Sequence, residues 1–448
     1  MIEAVLLGAA PFSARHRPRV LRKNDDSKAH EPNLFSAPDW CSHRSGCIVG
    51  GRCQTLLMDT ASFPLNPRLH PRCTIVPPYL LVRLAKLDGP RFAQAAAAAK
   101  QSLLRDSQIR QLRGAPRPFA YSGARTLLAR TPGESDRTIS DADGQERLPG
   151  RRVRTEGQAP GRDPAVNEAY DGLGSTQRLF WSQFGRDGVD GFGLPLDATV
   201  HYGKQYDNAF WDGERMVFGD GDQEVFNRFT ISLSVIGHEL THGVTQFTAN
   251  LEYQGQSGAL NESISDVFGA LVEQHAKKQS TAEASWLIGE GLFTDQVEGA
   301  ALRSMKAPGT AYNDDVLGKD PQPASMAGYV DTDDDNGGVH LNSGIPNRAF
   351  FLVADRLGGN AWETPGRIWY DTLTGTGLER RSDFAAFAAA TADTAARLYG
   401  KSSTAHDAVL QAWATVGVVT APAPSLTHPT APTPPSAPTP PTPPQPPE

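Results

Sequence analysis

The chain has 448 residues, 39% of them hydrophobic, with 43 Lys and Arg against 50 Asp and Glu and only four cysteines. That length and apolar share suffice for two or three packed domains, while no apolar run approaches the roughly 20 residues that a bilayer crossing needs. Charge is uneven: through Pro118 there are 18 basic and 8 acidic residues, leaving 25 against 42 for the remainder, so a basic front precedes an acidic body. Opposite signs predict docking of the front on the body within one molecule. A nucleic-acid-binding arm would carry interleaved aromatics and a recognisable module; the front has neither, and no nucleic acid is expected as a partner.

The stretch from Ala4 to Ala10 is a short apolar patch behind Glu3 instead of a basic region, so an export signal is not evident. Residues 1–72 mix Pro, Arg, Ser and His without sustained periodicity and read as a disordered or spurious extension. Cys41, Cys47 and Cys53 with His43 fit no zinc module well. With Cys73 they are all the cysteines present, so disulfides cannot stabilise the body.

At Cys73-Thr74-Ile75-Val76 an apolar, strand-like piece meets a Pro77-Pro78 turn, and 91–113 reads as a helix rich in Ala, Gln and Arg. Gly114 to Pro118 breaks it, which makes 73–118 a compact unit ahead of a cleavable linker. From 119 to about 229, short strand candidates such as Thr199 to Tyr202 and Met216 to Phe218 alternate with Gly and Asp turns. Beyond 250 the pattern is mostly helical to 419, including 349–357, 384–399 and 405–413. Residues 420–448, rich in Pro and Thr, cannot bury a core and read as an extended, disordered tail.

The chemistry concentrates at Ile236-Gly-His-Glu-Leu-Thr-His242. Apolar Leu233, Ile236, Leu240, Val244 and Phe247 recur at the helical period, Ser232 or Ser234 is a candidate N-cap, and Asn250 suits a left-handed end. On that helix His238 and His242 project from one face with Glu239 beside them, which is half a zinc site with a base attached. A second helical pattern follows, with Leu260, Ile264, Val267, Phe268 and Leu271 as its buried stripe and Glu262, Asp266 and Glu273 on another face. Glu262 is the candidate third ligand. Two imidazoles and one carboxylate leave a coordination position open, as a catalytic site requires. Asp266 is placed to receive the free ring N–H of His238, and Asn261 that of His242. The predicted fold is α+β in two lobes: a β-rich lobe over 119–250 that includes the zinc helix, and a helical lobe over 251–419.

These motifs resemble the thermolysin family of zinc metalloproteases, and the short basic front resembles the precursors of the protealysin branch. The resemblance runs from about Cys73 to Val419 and rests on Asn208-Ala209-Phe210-Trp211, the Gly219 to Asp222 turn, His238-Glu239-x-x-His242, Tyr253, Gly258 to Glu262 with Asp266, Leu302 to Met305, and Asp335 to His340. It implies one catalytic zinc on His238, His242 and Glu262, with Glu239 as general base. It implies further that His340 and Tyr253 stabilise the oxyanion, with Asp335 orienting His340. Asn208, the Ala209 backbone and Arg303 would hold the substrate main chain, and Val235, Ile288 and Leu302 would line an apolar pocket that selects Leu, Phe, Ile or Val after the cut.

The resemblance also implies that 73–118 is an inhibitory propeptide, with Cys73 a candidate thiolate block on the open zinc position. The expected partners are protein or peptide substrates and the chain's own propeptide, and the expected product is a secreted monomer, with a cytoplasmic location as the alternative. At the family's calcium positions Glu273 and Glu290 remain, but Ser234, Ser285, Leu287 and Ala300 stand where acids are usual, so calcium binding should be weak or absent. Two other readings are a non-catalytic interaction protein on a zinc-protease scaffold and a zinc aminopeptidase, and the latter lacks an identifiable acidic anchor for a free amine.

Overall fold

The computed structural model describes residues 73–111 and 131–418, which belong to one compact unit. The expected extension, the linker with its maturation point and the Pro-rich tail lie outside the described residues, as do Cys41, Cys47 and Cys53.

The front of the described chain holds two helices, α1 (Pro78–Leu84) and α2 (Ala93–Gln111). The expected Pro-Pro turn is instead the start of α1. Extended Pro77 takes the cap position and Pro78 the first helical one, where its missing N–H costs nothing. Ile75, Val76, Leu80, Leu81, Leu84, Phe92, Ala95 and Ala99 are buried in the same apolar cluster as the body, so the front packs as part of the core.

The β-rich lobe is built on five strands, β1 (Arg137–Asp141), β2 (Arg151–Thr155), β3 (Leu196–Val200), β4 (Ala209–Trp211) and β5 (Met216–Phe218), in the order β2-β1-β3-β5-β4. β1, β3 and β5 run parallel, and the two outer strands pair antiparallel to them. Against β1 and β3 packs α3 (Pro164–Phe184), a 21-residue helix where only strands and turns were expected. Its ends are specified locally: the Asp163 carboxylate accepts from the backbone N–H of Ala165, Pro164 follows the cap, and Gly185 closes the helix at φ 68°. His201 sets the position of Asp163, with Nε2 at 2.9 Å from its carboxylate and Nδ1 at 2.9 Å from that of Asp220.

Two helices then carry the site, α4 (Leu233–Gln246) and α5 (Gly255–Lys277). From Ser234 to Gln246 every residue of α4 is buried, so the expected one-sided apolar stripe is part of a helix enclosed on all sides. Ser232 occupies its cap without a side-chain bond to the helix, its hydroxyl meeting that of Ser234 at 3.1 Å. Asn250 is left-handed at φ 50°, three residues past the cap Phe247.

The helical lobe continues with α6 (Asp335–Asn342), α7 (Gly344–Leu357), α8 (Thr364–Thr374), α9 (Phe384–Tyr399) and α10 (Thr404–Thr415). Between α5 and α6 the chain is not helical as expected but carries four two-residue strands, β6 (Leu287–Ile288), β7 (Arg303–Ser304), β8 (Asn313–Asp314) and β9 (Gly318–Lys319), and one 3-10 turn. At positions that the resemblance associates with calcium, Glu273 pairs with Lys277 and the Ser285 hydroxyl donates to Glu290 at 3.1 Å.

α4 and α5 cross where neither has a side chain. A Cβ on Gly269 would stand 2.4 Å from the Ser234 carbonyl oxygen and 3.0 Å from the His238 nitrogen, and one on Gly237 3.0 Å from the Gly269 Cα. Only glycine permits this approach. Gly269→Ala should therefore destabilise the protein by about 1–3 kcal/mol through overpacking. A melting temperature equal to that of the parent would show that the crossing tolerates separation.

Candidate active site

The crossing brings three expected ligands together. His238 and His242, one turn apart on α4, present their Nε2 atoms 3.0 Å apart, and the Glu262 carboxylate on α5 lies 3.5 Å from the first and 3.6 Å from the second. Each imidazole is tied from behind, His238 Nδ1 to Asp266 at 2.7 Å and His242 Nδ1 to Asn261 at 2.9 Å. Those acceptors fix the ring N–H on Nδ1, so both Nε2 atoms face each other as lone pairs. Glu262 Oε2 has no hydrogen-bond donor. Three buried acceptors converging on one point repel unless a cation lies among them, and the N, N, O donor set suits zinc.

Charge in the pocket follows from burial and neighbours. Burial alone would raise Glu262, but its basic neighbours, His340 first, outweigh it and hold it at about 2. Burial pulls His242 down to about 4 against the opposing charge of Glu262, which leaves the ring neutral. Glu239 accepts from the Trp211 backbone N–H at 2.9 Å through one oxygen, and its other oxygen has no partner. Burial lifts Glu239 well above the usual carboxylate range, and the Glu262 charge adds to the shift.

His340 and Tyr253 stand on the other side of Glu262. The Tyr253 hydroxyl donates to Glu262 and lies 3.3 Å from His340 Nε2. Gly337 and Gly338, at φ 81° and 70°, kink the start of α6 so that Asp335 folds back on His340, meeting its Nδ1 at 2.7 Å and its backbone N–H at 2.9 Å. Burial would lower His340, but Asp335 first and Glu262 next outweigh it and raise it.

Asp266 joins this centre to the substrate side. One oxygen meets His238 Nδ1 and Arg303 Nη2 (2.8 Å); the other accepts from Arg303 Nε at 2.9 Å and Asn347 Nδ2 at 2.8 Å. Asn347, on α7, and the Ser265 hydroxyl, 3.0 Å from His242 Nδ1, were not expected from the sequence. Asn347 left one signal, a polar residue among the buried Ile345, Ala349 and Phe350 of its helix.

The front segment runs through the groove. The Ile75 N–H donates to the Ala209 carbonyl (3.1 Å), and its own carbonyl accepts from Arg303 Nη1 (3.0 Å). The Val76 N–H donates to Asn208 Oδ1 at 2.8 Å, and the Thr74 carbonyl lies 3.1 Å from His340 Nε2. Thr74 also bridges antiparallel to Phe210. Ile75 is fully buried in the apolar cluster that contains Val235, Ile288 and Leu302. The buried Cys73 thiol reaches the ligand set: one donor atom each of Cys73, His242 and Glu262 lie within 4.8 Å of one another.

Paired imidazoles, a carboxylate ligand and a free carboxylate base under a peptide-binding groove define a metal-dependent peptidase. The thermolysin metallopeptidase catalytic domain matches residues 136–246, and the thermolysin metallopeptidase alpha-helical domain matches 249–418. The chain belongs to the thermolysin family of metalloproteases. It is 51% identical over 349 residues to the extracellular metalloprotease of Pectobacterium carotovorum subsp. carotovorum, covering 78% of this chain and 97% of that one. A thermolysin of Alicyclobacillus acidocaldarius is 40% identical over 263 residues, covering 57% of this chain and 46% of that one. Among solved structures, the precursor of protealysin from Serratia proteamaculans matches with a TM-score of 0.70 and 50% identity, over 78% of this chain and all of that one.

Since Asp266 holds both His238 and Arg303, Asp266→Asn should lower zinc affinity by about 10–100-fold. Competition against a chromogenic chelator measures this directly. Unchanged affinity would mean that the His238 ring is held without its carboxylate.

Proposed function

We propose that this chain is a zinc-dependent neutral endopeptidase made as a zymogen, which cuts before bulky apolar residues and is held latent by its own front segment. The observation that carries the reading is the course of residues 74–76. They lie in the groove mid-chain, with backbone continuing on both sides, and four side chains or carbonyls of the body grip their main chain. A groove that accepts an internal segment needs no free amine, which favours an endopeptidase over an aminopeptidase.

In this register the Thr74–Ile75 bond would stand for a substrate's cut bond, and the buried Ile75 for the apolar residue after it. Zinc bound by His238, His242 and Glu262 would act as a Lewis acid and make water a nucleophile near neutral pH. The unpartnered oxygen of Glu239 is placed to take the proton of that water and to pass it to the departing amine. His340, kept cationic by Asp335, donates to the carbonyl oxygen on which negative charge develops, and the Tyr253 hydroxyl adds a second donor. Arg303 and Asn208 grip the main chain and fix the bond without reading side chains.

Cys73 would make the bound segment an inhibitor: its thiol is close to His242 and Glu262, and a thiolate is a strong zinc ligand. The names of the relatives as extracellular metalloproteases support secretion, and no helix among the described residues is long and apolar enough to cross a membrane.

After removal of the front, a peptide blocked at both ends should be hydrolysed, and mass spectrometry of digested casein should show cuts before Leu, Ile, Phe and Val. Clustering at charged residues would refute the pocket assignment, and no hydrolysis of blocked peptides would refute the endopeptidase. Glu239→Gln should reduce kcat by at least about 10²–10⁴-fold. Cys73→Ala in the full chain should release activity before processing, and the cobalt-substituted parent should show a thiolate-to-metal absorption band that this variant lacks. A latent variant, or identical spectra, would remove Cys73 from the switch.

A further inference from the structure

α2 covers an acidic pair on the body that no cation among the described residues neutralises. Asp207 is fully buried, and among the described residues no cationic or hydroxyl side chain donates to its carboxylate oxygens. Asp222, also fully buried, accepts from the backbone N–H groups of Glu224, Val225 and Phe226 through Oδ1 and has no donor at Oδ2. The two carboxyls adjoin, and two ionised carboxylates, being acceptors only, cannot bond to each other. One proton between them makes a donor.

We propose that docking of the front segment takes up one proton, held between Asp207 and Asp222, so that the propeptide is clasped in acid and loosened as pH rises. The inference rests on the reading of residues 73–118 as a detachable propeptide. Hydrogen bonds of four α2 residues place it over the pair. Ser102 Oγ accepts from the Asp207 N–H at 3.0 Å, Gln94 donates to the Asp222 carbonyl, and the Ala95 N–H donates to Glu224 at 2.8 Å. Asp106 receives the Tyr206 hydroxyl at 2.6 Å and Asn208 Nδ2 at 2.9 Å. Asp222, Asp106 and Glu224 are acidic, and Tyr202 and Tyr206 are neutral. The nearby cation of α2, Arg105, is spent on Glu146 at 2.6 Å and on the Lys204 carbonyl.

Burial, then the charge of Asp222, raises Asp207 well above its ordinary value, and burial raises Asp222 as well. Once α2 leaves, the pair opens to water and each carboxyl returns towards about 4. The sign follows. A carboxyl whose pKa is raised in the docked state gives full docking strength below about pH 4, and that strength is lost as pH rises through the docked value. Between those limits a one-proton linkage weakens docking roughly tenfold per pH unit.

Hydrogen–deuterium exchange of α2 amides tests this in the full chain, kept uncut by Glu239→Gln, between pH 5 and 8. After correction for intrinsic exchange, the opening constant of α2 should rise roughly tenfold per pH unit over part of this range. It should stay flat and low when Asp207→Asn is added, since the amide supplies the missing donor at every pH. His201 is raised to about 9, chiefly by its bond to Asp220, and also loses its contribution in alkali, so the readout is confined to α2 and not taken from global melting. Should Asp207→Asn lose protection throughout the body, Asp222→Asn decides by the same criterion. A slope unchanged in the asparagine variant, or no slope in the parent background, overturns the proposal. A flat profile in a latent chain would refute the clasp and spare the zymogen; activity with residues 73–111 still attached and docked would refute the zymogen instead.

Discussion

The arrangement depends on one buried carboxylate. Asp266 receives His238 and Arg303 on one oxygen and Arg303 and Asn347 on the other, with no exposure to water. A carboxylate has about four lone-pair sites, and here all are used. Asp266 therefore cannot turn towards His238, the proposed metal ligand, without loosening the guanidinium that holds the Ile75 carbonyl, so the two ends of the groove share one support. Burial would raise its pKa, but Arg303 and His238 outweigh that effect and hold the group far down, ionised at any working pH.

Such a density of buried charge is costly unless each member is answered. Arg303 answers Asp266, and Asp335 answers His340. Among the described residues, two atoms left unanswered here are Oε2 of Glu262, at the proposed cation site, and Oε1 of Glu239, the proposed acceptor for a proton. Orphaned acceptors in an otherwise satisfied core are expected where a ligand or a reacting group enters.

What could be read from the sequence was local. The four-residue spacing of His238 and His242 is a property of any helix, and Glu262 followed from the next periodic stretch. α9 was predicted at 384–399 and β5 at 216–218, the ranges they occupy. α3 was missed although Asp163, Pro164 and Gly185 delimit it, because Gly172, Gly174 and Thr176 lower helix propensity and packing on β1, β3 and α4 overrides that loss. The strands between α5 and α6 are two residues long, below the length at which alternation can be seen. Asn347, the Trp211 N–H on Glu239 and the register of residues 74–76 were beyond reach for another reason: each is a contact between segments far apart in the chain, and no local pattern encodes its partner.

The same distance argument bears on how the front segment, on the proposed zymogen reading, would inhibit without being a separate module. Its hydrogen bonds use the groups proposed to hold substrate, namely Asn208, the Ala209 carbonyl, Arg303 and His340. Its apolar residues join the body's own core, so little area remains on which the front could fold alone. Backbone bonds to the groove supply register, and burial of Ile75, Val76, Leu80, Leu81 and Leu84 supplies affinity. A segment bound this way leaves only when both are weakened together. Because both kinds of contact hold residues 74–84, the proposed release needs more than a cut in the chain: a change at Cys73 beside the proposed metal site, or in the charge beneath α2.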